Sequence, residues 1–182
     1  DPRWLETLKR HAFSDPAVGV VGPLSNAASY QSVPELRVQT GKESEDWSKN
    51  ELPPGPADDP WTPRGVATAV ARGSRRRLVD VPVLNGFCLF VKAEVVEAVG
   101  LMDEVAFPHG FGEENDFALR ALAAGYSLKV ADDVYVWHHK SKSYGDATRQ
   151  ALSAGSAEAM RERWGSMLRH AVGLLETNQE LE

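Results

Sequence analysis

The chain has 182 residues, 42% hydrophobic and 25% charged, an ordinary balance for one globular domain and enough length for one real core. That balance excludes disorder throughout, a collagen-like repeat and a disulfide scaffold; the lone cysteine, Cys88, has no internal partner and is compatible with a reducing compartment. The net charge of -6 argues against nucleic acid as a partner, no secretory signal opens the sequence, and apolar runs such as Phe87 to Val91 fall far short of the ~20 residues that span a bilayer.

In chain order, residues 3–13 read as an amphipathic helix with Leu5, Leu8 and Ala12 on one face. Ala17 to Gly22 is a buried-strand pattern stopped by Gly22-Pro23, and a polar stretch, Ser25 to Ser32, follows. Residues 34–63 hold six of the eleven prolines and an acidic run, and are expected to be a solvated loop or a lid over a site. Residues 64–72 suit a short helix, and Arg75-Arg76-Arg77 a solvated basic turn before an anion site. Val79 to Leu84 and Phe87 to Val91 read as strands; the Asn85-Gly86 between them signals, taken alone, a tight hairpin. Lys92 to Val99 is a helix closed by Gly100. A glycine- and aromatic-rich loop, Phe107 to Gly112, leads into a helix over Glu113 to Ala124 stopped by Gly125. Ser127 to Ala131 and Val134 to Trp137 read as two strands, His138 to Gly145 as a loop, and Ser156 as the cap of a last helix with the stripe Met160, Trp164, Met167, Ala171 and Leu174. Strands alternate with helices, so the class is α/β with a sheet flanked by helices.

Two constellations carry chemistry. Glu113, Glu114 and Asp116 crowd three carboxylates into one turn at a helix start. Acidic side chains there complement the helix dipole, but three like charges exceed what capping needs, and a carboxylate beside others can have a raised pKa suited to a general base. Trp137-His138-His139 ends a strand; neighbouring strand residues face opposite sides, so one of the two histidines at most joins a given metal site. Cys88 reads as packing, and His11 and His170 as surface residues. No phosphate-cradling glycine loop, Gly-x-Ser-x-Gly elbow or cysteine-pair zinc site is present.

Taken in order, Val83 to Lys92, Val95 to Glu104, Phe111 to Arg120 with Ala124-Gly125-Tyr126, Val136 to His139, and the earlier Val20 to Asn26 resemble the second half of the GT-A-fold, inverting, nucleotide-sugar-dependent glycosyltransferases called family 2. The resemblance runs over most of residues 1–145, leaving 146–182 as a C-terminal helical extension. It implies a mixed sheet flanked by helices, forming the acceptor-side part of the domain, with the nucleotide-binding half and its Asp-x-Asp motif lying upstream of this chain. The acidic pair of that family usually reads Glu-Asp; here Glu114 takes the place of the catalytic base, beside Glu113 and Asp116, with Glu for Asp a departure. The resemblance implies substrate-binding roles for Asn85, Gly86, Phe87, Gly112, Arg120 and Trp137, and a metal contact for His138 to Mg²⁺ or Mn²⁺. It further implies a nucleotide-diphospho-sugar donor, a glycan, lipid-linked or protein acceptor, and a cytoplasmic place, with assembly at the inner face of the membrane. The alternatives are a non-catalytic carbohydrate-binding or scaffolding module and a metal-dependent hydrolase using the same carboxylates. On the glycosyltransferase reading the isolated chain is expected to associate and to bind no nucleotide sugar by itself.

Overall fold

The structure, a computed structural model, describes residues 3–34, 37–39, 45–47, 50, 52–108, 110, 112–139 and 146–178, with residues 37–39, 45–47 and 146–154 described in backbone only. The elements are α1 (Trp4–Ala12), β1 (Val18–Leu24), a 3₁₀ turn (Ser29–Gln31), β2 (Arg37–Gln39), β3 (Glu45–Trp47), α2 (Pro63–Gly73), β4 (Leu78–Val81), β5 (Phe90–Val91), α3 (Ala93–Val99), α4 (Glu113–Ala123), β6 (Ser127–Tyr135) and α5 (Asp146–Glu176). A four-stranded sheet in the order β4-β6-β1-β5 forms the centre. β1 and β6 run parallel, pairing Val20 with Leu128 and Gly22 with Val130, while β4 and β5 run antiparallel along the two edges. The α/β class with a mixed sheet flanked by helices is therefore the observed architecture.

β1 is buried on both faces, as expected of an inner strand built from valine and glycine. Its side chains divide between two cores. Val18 and Val21 join Ala131 and Val134 of β6 under Leu8 and Ala12 of α1. Val20 joins Leu128 and Val130 under Val95 of α3 and Phe117, Ala118 and Ala121 of α4. A register shift between Val18 and Val20 sends these two valines to opposite cores; each fully buried Val or Leu contributes about 1.5–3 kcal/mol relative to exposure, so the division fixes which helix covers which face. Met160 of α5 belongs to the second core, with Trp164 and Met167 packed at its margin; Leu174 is exposed and Leu175 makes the contact in its place.

Four expectations are corrected. Val79 to Leu84 and Phe87 to Val91 do not form a hairpin: β4 and β5 lie on opposite edges of the sheet, because each finds a better partner in β6 and β1 than in the other. The two strands expected over Ser127 to Trp137 are one strand, β6, whose register slips between the Pro23–Ala131 and Leu24–Tyr135 pairs. The slip gives Asp132 and Asp133 room to turn out of the ladder: Asp132 accepts from Ser74 Oγ and Arg77 N, Asp133 from His11 Nε2 at 2.7 Å. His11 is accordingly buried rather than a surface residue. Finally, α5 begins at Asp146, so Ser156 is interior to the helix, where its hydroxyl donates to Gly110 O.

The proline-rich stretch contains an antiparallel ribbon of β2 and β3, and Trp61 within it is exposed. Much of that stretch, including the residues around Glu43, lies outside the described residues, as do His109 and Phe111. α2 matches its expected place, with the Thr62 hydroxyl accepting from Gly65 N and Pro63 in the first turn. Gly100 and Gly125 close α3 and α4 as expected, at φ 78° and 90°. Among the described residues no helix is long and apolar enough to cross a membrane.

Candidate functional site

The carboxyl ends of β1 and β6 lie side by side, the place where open α/β sheets present ligand-binding loops. Asn26, just beyond β1, clamps the chain beyond β6 by two hydrogen bonds: its Oδ1 accepts from His138 N at 2.8 Å and its Nδ2 donates to His138 O at 3.2 Å. The His138 ring is then oriented by its Nδ1, which donates to Ala27 O at 2.9 Å. A carbonyl accepts only, so Nδ1 is the protonated nitrogen of this contact. Phe87 stacks on the ring, centroids 5.1 Å apart. His139 is exposed and His138 half-buried; both lie beyond the end of β6 at Tyr135 rather than in a strand, so their difference comes from the Asn26 and Ala27 contacts and not from strand alternation.

The Asn85–Phe87 loop is held from beneath by Gln31, which is fully buried. Its Nε2 donates to Pro23 O and its Oε1 accepts from Asn85 N, both at 2.8 Å. Asn85 Oδ1 accepts in turn from Phe87 N at 3.3 Å, a local turn that fits the Asn-Gly pair without a hairpin. Gly86 is where this loop meets α4. A β-carbon there would lie 2.9 Å from Cβ of Glu114, so only glycine lets the backbone pass.

The first turn of α4 holds the acidic cluster. Gly112, at φ 138°, turns its N–H toward both neighbouring carboxylates, Glu113 Oε2 at 3.0 Å and Glu114 Oε2 at 3.1 Å. A β-carbon at Gly112 would press on Phe107 and Met160, a second reason for glycine there. Withdrawal from water pushes the Glu114 carboxyl up to about 7, and the negative charge of Glu113 pushes the same way. Buried Tyr30, whose hydroxyl donates to Val83 O, is raised by its burial and then by Glu114's charge.

Asp116 differs. It is fully buried, its Oδ1 accepts from Arg163 Nη1 and Trp164 Nε1 and its Oδ2 from Arg120 Nε, all at 2.8 Å. Burial alone would raise it; the three donors outweigh burial and hold it below the usual carboxylate range. A carboxylate so engaged cannot accept a substrate proton, so the expected catalytic place of Asp116 becomes a structural one. Arg120 is likewise engaged by the protein: besides Asp116 it donates to Val99 O and to Leu101 O, tying α4 to the end of α3 with three of its five N–H donors. Trp137 packs toward Val66 and Ala67 of α2 and Tyr135, on the other side of the strand end from the Phe87–His138 stack.

The structure thus gathers Glu113, Glu114, Gly112, Asn85, Gly86, Phe87 and His138 at one end of the sheet, and turns Asp116, Arg120 and Trp137 into packing or anchoring. Sequence reasoning missed Asn26, Tyr30 and Gln31, which hold the site together; their signal was a polar run directly after a buried strand. Among the described residues no group of three or more His, Cys, Asp or Glu side chains is arranged to hold a metal ion. His138 Nε2 offers one donor.

No known protein-family profile matches the chain. It is 31% identical over 105 residues to an uncharacterized protein of Mycobacterium tuberculosis and equally to one of Mycobacterium bovis, a stretch covering 57% of this chain and 37% of each relative. The chain therefore spans little more than a third of the length of the curated relatives it matches.

Proposed function

We propose that the chain is the acceptor-side part of an inverting, nucleotide-sugar-dependent glycosyltransferase of GT-A fold, with Glu114 as its general base. The observation that carries the reading is the Glu114 carboxyl near 7, set against the Gly86 backbone in the loop crevice at the ends of β1 and β6. A base with that pKa is deprotonated often enough at neutral pH to accept a proton, and basic enough to hold it in the transition state.

In the proposed step an acceptor hydroxyl lies beside the Asn85–Phe87 loop. Glu114 takes its proton while the oxygen forms a bond to the anomeric carbon, and the bond from that carbon to the diphosphate oxygen breaks with inversion. The bonding pair leaves with the diphosphate, and the proton on Glu114 passes to solvent. Glu113 keeps the base weakly acidic by its charge, and Asp116 holds the turn in place through α5. A divalent cation, when bound, neutralises the departing diphosphate. His138 would offer it one imidazole, and the described residues supply no complete ligand set. The donor and the nucleotide-binding half belong to the part of the domain that the resemblance places upstream.

The test uses the protein carrying this chain together with that half. Glu114→Gln lowers turnover at least ~100-fold while donor affinity is unchanged. If Glu113→Gln abolishes turnover and Glu114→Gln does not, the base is Glu113; if neither slows transfer, the proposal falls. Release of free sugar without an acceptor would favour a hydrolase instead.

A further inference from the structure

Four side chains of α5 grip the polypeptide on both sides of the Glu113–Glu114 pair. Ser156, Met160, Arg163 and Trp164 stand at i, i+4, i+7 and i+8, the spacing of one helix face. Arg163 donates to Asp103 Oδ2 and to Asp116 Oδ1, each at 2.8 Å, and Trp164 adds its indole N–H to Asp116. Met160 lies against Gly112, where a β-carbon would stand 3.4 Å from its Cγ. Ser156 Oγ donates to Gly110 O at 3.0 Å.

The Ser156 contact is the one that reaches the acidic pair through the loop before it. Gly110 has a φ of 82°, and a β-carbon on it would lie 3.5 Å from both carboxylate oxygens of Glu113. Two residues on, Gly112 gives its N–H to Glu113 and Glu114 together. Where that N–H points therefore depends on where the loop is fixed. A serine hydroxyl has one proton, and inside a helix it commonly returns to the carbonyl one turn back. Ser156 is only 7% exposed and gives its proton to a separate segment instead. Alanine forms helix better than serine, so α5 has no need of the hydroxyl for its own sake. We infer that Ser156 is a positioning residue for the acidic pair. By tethering Gly110 it keeps the Gly112 N–H aimed at both carboxylates. On the reading of Glu114 as the general base, on which this role in turnover rests, the same tether holds that carboxyl in line with the acceptor hydroxyl.

The test compares Ser156→Ala, Ser156→Thr and, as control, Ser166→Ala at an exposed position of α5, each in the protein carrying this chain together with the nucleotide-binding half. The first readout needs no activity. With glycine-selective nitrogen-15 labelling, the Gly112 amide proton shifts with pH as the carboxylates it bonds titrate. Ser156→Ala should flatten that response, and Ser156→Thr, which keeps the hydroxyl, should restore it. The second readout is turnover: Ser156→Ala should lower kcat roughly tenfold, the scale of one buried hydrogen bond, with little change in KM for the acceptor. Ser166→Ala should change neither. An unaltered Gly112 response or an unaltered kcat in Ser156→Ala overturns the inference, as does an equal loss in Ser156→Thr or in Ser166→Ala. Should Glu114→Gln leave turnover intact, the base reading falls by itself, and the Gly112 response still decides whether Ser156 positions the pair.

Discussion

Glu114 and Asp116 stand two positions apart in one helical turn, yet the two sides of that turn treat a carboxylate in opposite ways. On the crevice side, Glu114 is withdrawn from water beside a second carboxylate, with one shared backbone N–H, and its pKa rises to about 7. On the α5 side, Asp116 is buried more completely, but two guanidinium groups and an indole N–H surround it and its pKa falls. Burial is therefore not what separates the raised carboxyl from the lowered one; the supply of donors is. The long helix α5 provides two of the three donors to Asp116, so it holds the acidic turn from the Asp116 side.

The largest effect belongs to the anchor. Asp116→Ala leaves Arg120, Arg163 and Trp164 facing a vacancy, and removing one partner of a buried charge network costs roughly 3–5 kcal/mol. Urea denaturation should show this loss, whereas Glu114→Gln should show none at neutral pH. Equal losses in both variants would erase the distinction.

The next effect is in pH. Between about 4.5 and 7 the folded chain holds a proton on Glu114 that the unfolded chain has released, so stability falls as pH rises through this window. Glu114→Gln removes that slope. It should match the parent at pH 4 and exceed it above pH 7, by roughly 2–3 kcal/mol. Asp116 has the opposite sign: its lowered pKa adds stability above the ordinary carboxylate range, which is lost as pH falls through its folded value. Denaturation midpoints across pH 3 to 9 check both.

Smaller still is Gly86→Ala. A β-carbon 2.9 Å from Glu114 Cβ must shift the loop or the helix, at about 1–3 kcal/mol, and it should move the Glu114 pKa as well as stability. The smallest effect separates the histidines. His138→Ala loses the Phe87 stack and the bond to Ala27, about 1–2 kcal/mol, while His139→Ala stays within ~0.5 kcal/mol. In a Mn²⁺ titration only His138→Ala should alter the response; equal effects would return both to structural roles.

Most elements were legible in the sequence because their signals are local. The buried valines of β1, the glycine stops of α3 and α4 and the Thr62 cap act within a few residues. Pairing is not local. Asn85-Gly86 carries a hairpin signal, and only the competition of β6 and β1 for the flanking strands cancels it. Asp132-Asp133 reads as a break between strands until Ser74 and His11, distant in sequence, supply partners. The acidic turn was visible as a cluster, but the division of labour within it depends on Arg163 and Trp164, 47 and 48 positions away from Asp116. The same limit hid Gln31, whose amide bridges β1 to the Asn85 loop.

On the proposed reading Glu114 is held as a base while its neighbour Asp116 is held as an anion. Side-chain carboxyl titration by carbon-13 NMR measures this directly, one residue at a time. Glu114 should titrate with a midpoint near 7, and Asp116 below the ordinary range near 4. A Glu114 midpoint at the unperturbed value of about 4.3, or an Asp116 midpoint above it, would contradict the account.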